Sequence, residues 1–537
     1  MPVTDDEVEV LIVGGGPVGL TARGLLERWG VRTLLVERRR ELSPFPRSRL
    51  VNTRSMEIFR RLGLAAGITA NAFPPQFGRV RFRDTLHDRD FASAAMVGVH
   101  APIPESPVTG VVTSQDRLEP LLLAAAQAAD APTRFGAEVT GLAEGADSVV
   151  ARLLDREGGA ESRVRARYVL AADGANSTVR QLLGTGTTGP GALAAFTTVV
   201  FDADLSRWCA DQPAGVYVTA HGSFLPLYPE GGWAWLAPTP EDPEHADWSG
   251  LVSRALGPGA DVRAEVLRVQ HWVMNAFVAE RFRHGRILLA GDAAHAIPII
   301  GGLGMNTGVA DAHNLCWRLA GVLRGWAGPG LLDTYEVERR PVAHQTLRQA
   351  VANTDLMFQA QSLRREQLRT SGGAAPSTIR LPWSERYFAQ LGLVLGVTYR
   401  SAAVLADGDG EGGRLPSEAS EASEVSEVSA HYTPTAEPGR RMPHLWLSRD
   451  RSTLDAFGEW FTLLTPDPAR WESQSAPAWP LRVEALTGEH AGLCGLSAQG
   501  ALLVRPDGHI GARWQGGPPD DSVLRRALAG ITGTTSA

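Results

Sequence analysis

A run of glycines between an apolar strand and an apolar helix constrains this chain more than any other feature. Residues 8–13 are apolar and β-branched, as in a buried strand, and apolar residues recur at helical spacing from position 20 to position 29. Between them, Gly14 permits a tight turn, Gly16 lets phosphates approach the backbone, and Gly19 lets the helix pack on the strand. The pattern predicts a dinucleotide-binding β-α-β unit with its phosphate site at the start of the helix.

A second strand, predicted at residues 33–36, ends in an acidic residue. Glu37 comes about 20 residues after the first glycine, where a carboxylate accepts hydrogen bonds from the ribose hydroxyls of a dinucleotide. Pro17, Val18 and Arg38 complete the candidate contacts of this segment. The segment alone does not distinguish NAD from FAD.

Two later segments repeat the pattern of an apolar strand that runs into an acid. Residues 168–172 lead into Asp173-Gly174, and residues 286–290 lead into Gly291-Asp292. We expect Asp292 to accept hydrogen bonds from the ribityl hydroxyls of a flavin. The glycine-rich loop at residues 301–304 then opens a long helix, whose free N–H groups and positive dipole end suit the electron-rich edge of a reduced flavin. Three such segments in this order predict one bound FAD.

In these segments the chain resembles the single-component FAD-dependent aromatic hydroxylases, typified by p-hydroxybenzoate hydroxylase and phenol hydroxylase. Within that family it is most similar to the bacterial aromatic-polyketide hydroxylases. The residues that carry the resemblance are Pro46-Arg47-Ser48-Arg49, residues 54–59, residues 114–119, Asp173-Gly174, Gly291-Asp292, Asn306-Thr307-Gly308 and residues 311–315.

The resemblance also assigns cofactor contacts to residues of this chain. It implies that Arg47 lies beside the flavin and the pyrophosphate, and that Gln115 contacts the cofactor. It implies as well that the backbone of Met305 and Asn306 meets the pyrimidine edge of the flavin ring. The remaining contacts carried over are Val139, Pro298 and Gly304.

The function implied by the resemblance is that of an aromatic hydroxylase. NAD(P)H reduces the FAD, O2 adds to give a hydroperoxyflavin, and an electron-rich aromatic ring takes one oxygen atom. NADPH or NADH would bind only transiently, because the sequence shows a single dinucleotide turn. Two alternatives stay open at this point: a Baeyer-Villiger insertion or oxidative rearrangement on the same scaffold, and a non-catalytic carrier protein on the FAD fold.

Between residues 186 and 280 the apolar pattern alternates as strands do, which predicts an antiparallel sheet that roofs a substrate pocket. A strand pair from residues 79–92 is expected to join it. By alternation, about half of its aromatic residues must face away from the pocket. Arg49 and Tyr228 are the candidate substrate-side residues. The aromatic residues of this sheet are Tyr217, Phe224, Tyr228, Trp233 and Trp235.

The predicted fold combines α/β and α+β parts. The C-terminal part resembles a thioredoxin-like domain, but Cys494 is its only thiol, so a structural role or a role in oligomer contacts is expected. Pro341 predicts a boundary or kink within the long helices of residues 311–372. The predicted divisions are a discontinuous Rossmann-like FAD-binding domain (1–78, 110–185 and 281–385), a substrate-binding sheet domain (79–109 and 186–280), a connecting segment (386–437) with a Ser/Glu-rich linker at 417–429, and the thioredoxin-like domain (438–537).

Composition excludes several other classes of protein. With 537 residues, 44% hydrophobic residues, 21% charged residues and a net charge of −7, the chain is a globular protein without a basic patch for nucleic acid. It has no apolar run of 18 residues and no signal peptide, so a cytoplasmic location is expected. Cys209, Cys316 and Cys494 are far apart and suggest no metal site. The predicted partners are a small aromatic substrate and O2, with a homodimer left open, and His295 is expected to be structural.

Overall fold

A computed structural model of the chain describes residues 5–96, 98–127, 132–370, 378–381, 390–406, 432–472 and 476–534. The Ser/Glu-rich repeat at 417–429 lies outside the described residues. Two large sheets and a smaller C-terminal sheet account for most strands, which confirms the mixed α/β and α+β class. The domain limits predicted from the sequence stay predictions.

The first sheet has eight described strands in the order β16-β17-β10-β1-β2-β7, with β9 and β8 continuing antiparallel from β10. The pairs β17/β10, β10/β1, β1/β2 and β2/β7 are parallel. Nearly continuous apolar stretches form these central strands, as burial on both faces requires. The strands are β1 (Asp5–Val13), β2 (Thr33–Glu37), β7 (Thr133–Phe135), β8 (Ala137–Glu144), β9 (Val149–Asp155), β10 (Glu161–Ala171), β16 (Arg283–His284) and β17 (Ile287–Leu289).

Helices cover this sheet and share one core with it. Helix α1, after the glycine turn, packs against α4 and α8, and α9, the longest described helix, also contacts α8. The helices are α1 (Pro17–Arg28), α2 (Thr53–Arg61), α3 (Ala65–Ala70), α4 (Gln115–Gln127), α5 (Thr178–Leu182), α8 (Gly304–Arg324) and α9 (Asp333–Thr370).

The second sheet also has eight described strands, in the order β18-β15-β11-β14-β13-β12-β4-β5. It is antiparallel as predicted, except that β12 pairs with β4 in parallel. A two-stranded ribbon, β3 (Leu50–Val51) with β6 (Val111–Val112), lies beside it. The remaining elements are β4 (Arg79–Phe82), β5 (Ala92–Ala95), β11 (Thr187–Asp202), β12 (Val216–Thr219), β13 (Gly222–Tyr228), β14 (Gly231–Pro238), β15 (Glu265–Ala279), β18 (His295–Ala296), α6 (Ser206–Cys209) and α7 (Trp248–Leu256).

The two faces of the second sheet have different partners. Four of its five candidate aromatic residues pack in one buried cluster with Val252 and Leu256 of α7, so they lie on the face that α7 covers. Tyr228 packs instead with a small apolar cluster formed by Val200, Leu227 and Ala234. The four residues of the α7 cluster are Tyr217, Phe224, Trp233 and Trp235.

The C-terminal unit, which here means the described residues from 432 onward, contains a mixed sheet in the order β20-β19-β21-β22. This sheet, flanked by helices, is the arrangement expected of a thioredoxin-like unit. Its core includes Trp317 of α8 and Leu331, so the unit packs directly on the first part of the chain. The elements are β19 (Phe461–Thr465), β20 (Leu481–Ala485), β21 (Ala501–Val504), β22 (Ile510–Trp514), α11 (Pro468–Glu472), α12 (Gly488–Leu493) and α13 (Val523–Thr532), preceded by α10 (Leu391–Val394).

The sequence predicts a boundary or a kink at Pro341; a boundary there is wrong, and a kink stays a prediction. Helix α9 continues through this residue from Asp333 to Thr370. Pro341 is exposed and so is Val337, four residues earlier, so the carbonyl group that loses its helical partner lies on the solvent side of the helix. Among the described residues, no helix is long and apolar enough to cross a membrane, and no group of side chains could hold a metal ion.

Candidate active site

The three glycine-and-acid segments meet at one edge of the first sheet. Strand β10 lies between β1 and β17, and all three run parallel. Gly14 follows the end of β1, Asp173 follows the end of β10, and Gly291 follows the end of β17. In an open parallel sheet, ligands bind outside the carboxyl ends of the strands. The sheet order therefore brings together segments that lie nearly 300 residues apart in the sequence.

Close packing between these segments requires glycine. A β-carbon at Gly14 would overlap the carbonyl oxygen of Ala172, at the end of β10. A β-carbon at Gly291 would lie 2.8 Å from Cγ2 of Val18, in the first turn of α1. The first and third segments thus touch directly, with no room for a side chain between them.

Arg180 of α5 ties the second segment to the third, a role that the sequence analysis missed. Its guanidinium group donates to the carbonyl oxygen of Ala293 at 2.8 Å and to that of Ala175 at 2.6 Å. The same group lies over the ring of Phe277, 4.7 Å from the ring centroid. An arginine two residues into the helix after an Asp-Gly turn is a local signal, but its partners are visible only in the fold.

The start of α1 is open toward the cleft. Gly16 precedes the helix with extended backbone and no side-chain cap, and a β-carbon placed there would find no atom within 4 Å. The N–H groups of the first turn are therefore available to an anion. Glu37 borders this space: its carboxylate accepts hydrogen bonds from the backbone of Gly15 at 2.8 Å and of Arg39 at 2.9 Å. Pro17, Val18 and Gly19 of the first turn are buried, and Arg38 is half-buried beside Glu37.

Arg47 and Asp292 line the interior of the same cleft. Both side chains are exposed, yet protein surrounds them closely. Desolvation, together with the like charge of Arg39, lowers the pKa of Arg47. Burial raises the pKa of Asp292, against the opposing effects of His295 and Arg47. Exposed groups that are nonetheless desolvated mark a concave surface. The charges of Glu37 and Asp292 both act on Arg47, so the three groups lie in one region.

Asp173 is held by its own turn. It accepts hydrogen bonds from Oγ of Ser177 at 2.6 Å and from the backbone N–H of Val179 at 3.0 Å, and burial raises its pKa. Gly174 beside it has a left-handed backbone and no neighbour where a side chain would lie. Asp173 therefore shapes the wall of the cleft, and Gly174 leaves space in front of it.

The loop before α8 forms the opposite wall. Helix α8 begins at Gly304 without a side-chain cap. The side chain of Asn306 accepts from the N–H of Asn52 at 2.9 Å and donates to the carbonyl groups of Leu50 and Gly302, at 2.8 Å and 2.7 Å. Because the Asn306 side chain is used in this way, the backbone of Met305 and Asn306 is what remains for a ligand.

The other predicted contacts lie around this loop and along α4. A β-carbon at Gly304 would lie 3.9 Å from Oδ1 of Asp292, so the loop and the acid share one space. Pro298 is buried before the loop. Gln115 donates to Glu119 at 2.7 Å, and the charge of Glu119 reaches Arg47. The side chain of Val139 lies in the apolar core, so only its backbone is available to a ligand.

The two substrate-side candidates meet at a third residue, Asp116, which the sequence analysis missed. Tyr228 donates a hydrogen bond to Asp116, and the charge of Asp116 acts on Arg49. Burial lowers the pKa of Arg49 to about 10, so it remains a cation at neutral pH. Burial and the bond to Asp116 raise the pKa of Tyr228 to about 12, so it keeps its proton.

This cluster retains unused hydrogen-bonding capacity. Arg49 donates to the carbonyl oxygen of Gly215 at 3.4 Å and lies over the ring of Phe73, 5.2 Å from its centroid. Its Nε and Nη2 atoms, and Oδ1 of Asp116, are buried without a hydrogen-bond partner among the described residues. Because buried polar groups are normally satisfied, these atoms are candidates to meet a polar group of a ligand.

His295 does not line the cleft. It is fully buried, and its Nε2 lies 2.6 Å from Oδ2 of Asp311. Of the three cysteines, each is buried and free. None of these groups stands where a nucleophile would meet a bound ligand.

The cleft fits FAD in four respects. The open start of α1 suits the pyrophosphate, and Glu37 suits the ribose. The exposed carboxylate of Asp292 suits the ribityl chain, and the uncapped start of α8 suits the electron-rich edge of the flavin. Arg47 supplies a cation on which the charges of both Glu37 and Asp292 act.

Comparison with known proteins gives the same picture. Residues 7–350 match a family model described as an FAD binding domain, and residues 435–535 match one described as the C-terminal domain of aromatic-ring hydroxylases. Aklavinone 12-hydroxylase of Streptomyces peucetius is 36% identical over 514 residues, which cover 90% of this chain and 96% of that protein. Tetracenomycin B2 monooxygenase-dioxygenase of Streptomyces olivaceus is 33% identical, with 97% and 99% covered.

Solved structures extend the similarity to the whole fold. The flavin-dependent monooxygenase PieE, in complex with FAD and substrate, superposes with a TM-score of 0.85 at 33% identity, covering 98% of this chain and 99% of that one. A ternary complex of aklavinone-11 hydroxylase with FAD and aklavinone gives a TM-score of 0.81 at 33% identity, covering 99% and 100%.

Proposed function

The chain belongs to the FAD-dependent aromatic-ring hydroxylases, and we propose that it adds one oxygen atom from O2 to a multi-ring aromatic polyketide, with NAD(P)H as reductant. It is an FAD-dependent monooxygenase, as its family membership requires. The polyketide class of the substrate is supported by relatives, similar over at least 90% of this chain, that act on aklavinone and tetracenomycin B2.

The single observation that carries the proposal is the cleft between Glu37 and Asp292. The charges of both acids act on Arg47, and the loop before α8 borders Asp292. We assign the cofactor contacts of this cleft as the sequence predicted them. They are Gly14, Gly16, Pro17, Val18, Gly19, Glu37, Arg38, Arg47, Gln115, Val139, Asp173, Asp292, Pro298, Gly304, Met305 and Asn306.

Bound FAD supplies the redox chemistry, taking electrons from NAD(P)H and activating O2. The protein supplies binding, orientation and electrostatics. Asp292 holds the ribityl chain, Arg47 offsets the charge of the pyrophosphate, and the start of α8 stabilises negative charge on the reduced ring. The apolar face formed by Val200, Leu227 and Ala234 excludes water from the space beside it.

Arg49 is proposed to bind a phenol oxygen of the substrate. A desolvated cation with two unpaired nitrogen atoms favours the phenolate form of such a group, and a phenolate makes the ring a better nucleophile. Tyr228 and Asp116 form the neighbouring side of this contact, because Tyr228 keeps its proton and donates a hydrogen bond to Asp116. This assigns the ring-activating role to Arg49 and an orienting role to Tyr228.

The test is a screen of aromatic polyketides against the purified protein with ¹⁸O2. We expect one compound to accelerate NAD(P)H oxidation and to gain one labelled oxygen as a ring hydroxyl. A labelled lactone would instead identify a Baeyer-Villiger outcome, and peroxide release without labelled product would count against every tested compound as substrate. A colourless protein that binds no added FAD would contradict the proposal and would favour the carrier alternative.

Three further assignments complete the proposal. NADPH is preferred over NADH, which paired Michaelis constants would measure. The protein is cytoplasmic, which fractionation of the producing cells would test. A homodimer remains the expected assembly if the protein is not a monomer, and light scattering in solution would decide between them.

A further inference from the structure

Behind the cofactor cleft, Asp311 of α8 collects three hydrogen bonds in a fully buried position. Its Oδ2 accepts from the backbone N–H of Gly291 at 3.0 Å and lies 2.6 Å from Nε2 of His295. Its Oδ1 accepts from Nε of Arg339 at 2.7 Å. Gly291 begins the turn that carries Asp292, so Asp311 fixes the backbone of that turn to α8.

Arg339 of α9 extends this set of bonds in two directions. Its Nη2 donates to the carbonyl oxygen of Thr307, in the first turn of α8, at 3.1 Å. Its Nη1 donates to Oη of Tyr399 at 3.1 Å. One buried guanidinium group therefore holds Asp311, the flavin-facing end of α8 and a residue outside the first sheet.

Tyr399 links Arg339 to the C-terminal unit. Its backbone N–H donates to Gly439 at 2.8 Å, and its ring lies on that of His509, with centroids 4.2 Å apart. A small cavity of about 40 Å³ borders the contact and is lined by Thr307, Arg339, Tyr399 and His509 among others.

We propose that Arg339 is a positioning residue for FAD, and that Tyr399 lets the C-terminal unit hold it in place. The unit has one thiol and no dithiol chemistry, but through Tyr399 and Arg339 it sets both walls of the far end of the cleft: the Gly291-Asp292 turn and the first turn of α8. The inference rests on the proposed function in one respect, namely that the cleft holds FAD.

The test compares Tyr399→Phe with Tyr432→Phe in the full-length protein. Tyr432, the first described residue of the C-terminal unit, is also buried. Its hydroxyl oxygen accepts from Nη1 of Arg441 at 3.4 Å. Arg441 pairs with Glu57 of α2 rather than with Asp311. Each variant thus removes one hydroxyl group from one buried arginine, and Phe at position 399 retains the ring contact with His509.

We expect Tyr399→Phe to weaken FAD binding about tenfold, because a buried hydrogen bond to a charged group is lost. Tyr432→Phe should leave the affinity for FAD within about twofold of wild type, since its arginine holds neither wall of the cleft. Quenching of FAD fluorescence on titration into the apoprotein gives the dissociation constants. Melting temperatures of the two apoproteins should fall by similar amounts.

A second variant, Arg339→Lys, keeps the charge beside Asp311 but loses the fork that reaches Thr307 and Tyr399. It should weaken FAD binding more than Tyr399→Phe does. If both Tyr variants bind FAD equally well, or if FAD affinity only follows the melting temperature, the inference is overturned. If the wild-type apoprotein itself binds no FAD, the proposed function fails instead, so the two failures are distinguishable.

Discussion

The cofactor cleft and the contact between α9 and the C-terminal unit use the same residue types in opposite ways. In the contact, Arg505 donates to both carboxylate oxygens of Glu338, at 2.7 Å and 2.9 Å, and Arg318 donates to Glu338 at 2.6 Å. All three are fully buried. Burial raises the pKa of Glu338, but the two arginines outweigh it and hold that pKa well below its ordinary value.

In the cleft the balance is reversed. Burial raises the pKa of Asp292, and His295 and Arg47 do not compensate for it. A carboxylate that partners keep ionised is structural, whereas one that burial destabilises and no partner neutralises is available to a ligand. The direction of the carboxylate pKa shift therefore distinguishes the two regions, although both contain the same residue types.

The largest expected effect lies in the paired region. Glu338→Gln leaves two buried arginines, Arg318 and Arg505, with only the single charge of Asp507 to share, so we expect a loss of about 3–5 kcal/mol in the free energy of unfolding. Glu437→Gln breaks an exposed ion pair with Arg440, N to O distance 3.3 Å, and serves as control. The control should cost less than about 1 kcal/mol. Denaturant titration gives the free energy of unfolding of both variants. Equal losses would contradict the structural role assigned to the buried carboxylate of Glu338.

The next effect lies in the cleft. Asp292→Asn removes a charged acceptor proposed to bind the ribityl hydroxyls, so FAD should bind about 10- to 100-fold more weakly. The apoprotein should keep its fold, as circular dichroism and a cooperative melting transition would show. Unchanged affinity for FAD would mean that this carboxylate does not face the cofactor.

A smaller effect is expected at the substrate side. Arg49→Gln should lower kcat/KM for the aromatic substrate about tenfold, because a hydrogen bond between charged groups is replaced by a neutral one. FAD affinity should not change, and uncoupled peroxide formation should rise. The difference should shrink for substrate analogues in which the phenol is methylated. An equal loss for the methylated analogue would show that Arg49 acts on the fold rather than on the phenol.

The smallest effect concerns pH and has opposite signs in the two regions. The folded pKa of Glu338 is lowered, so its contribution to stability is present above the unfolded pKa and is lost as pH falls. The folded pKa of Asp292 is raised, so its contribution is present at low pH and is lost as pH rises through the folded pKa. Apoprotein carrying Asp292→Asn should therefore gain stability over wild type near neutral pH and lose that advantage below the ordinary Asp pKa of about 3.9. The free energy of unfolding of the two apoproteins, measured from pH 3 to 8, tests this. A wild-type apoprotein that is more stable than Asp292→Asn near neutral pH would contradict it.

Much of the fold and the cofactor cleft could be predicted from the sequence, because each segment carries a local signature. A strand, a glycine and an acid are adjacent in the chain, and parallel strands gather their carboxyl ends. The partners of Arg180 and the meeting of Arg49 with Tyr228 through Asp116 lack such a signature, since they depend on contacts over more than 100 residues.

The aromatic residues of the second sheet show the same limit. Alternation predicts that about half of them lie on each face, whereas four of the five pack on the face that α7 covers, because paired strands place their aromatic residues on the same side. Pro341 is misleading for a related reason. Its effect on a helix depends on whether the freed carbonyl meets solvent, and the local sequence does not specify which side of the helix is exposed.

The order of strands in the first sheet has a consequence for how the holoenzyme comes into being. Strand β10 pairs with β1 on one side and β17 on the other, and five of the eight described strands of the second sheet are inserted in the chain between β10 and β17. A nascent chain that ends before α8 contains the phosphate-binding turn but lacks the opposite wall of the cleft. Retention of the yellow cofactor thus reports assembly of the chain at least as far as residue 324 rather than the folding of any one segment.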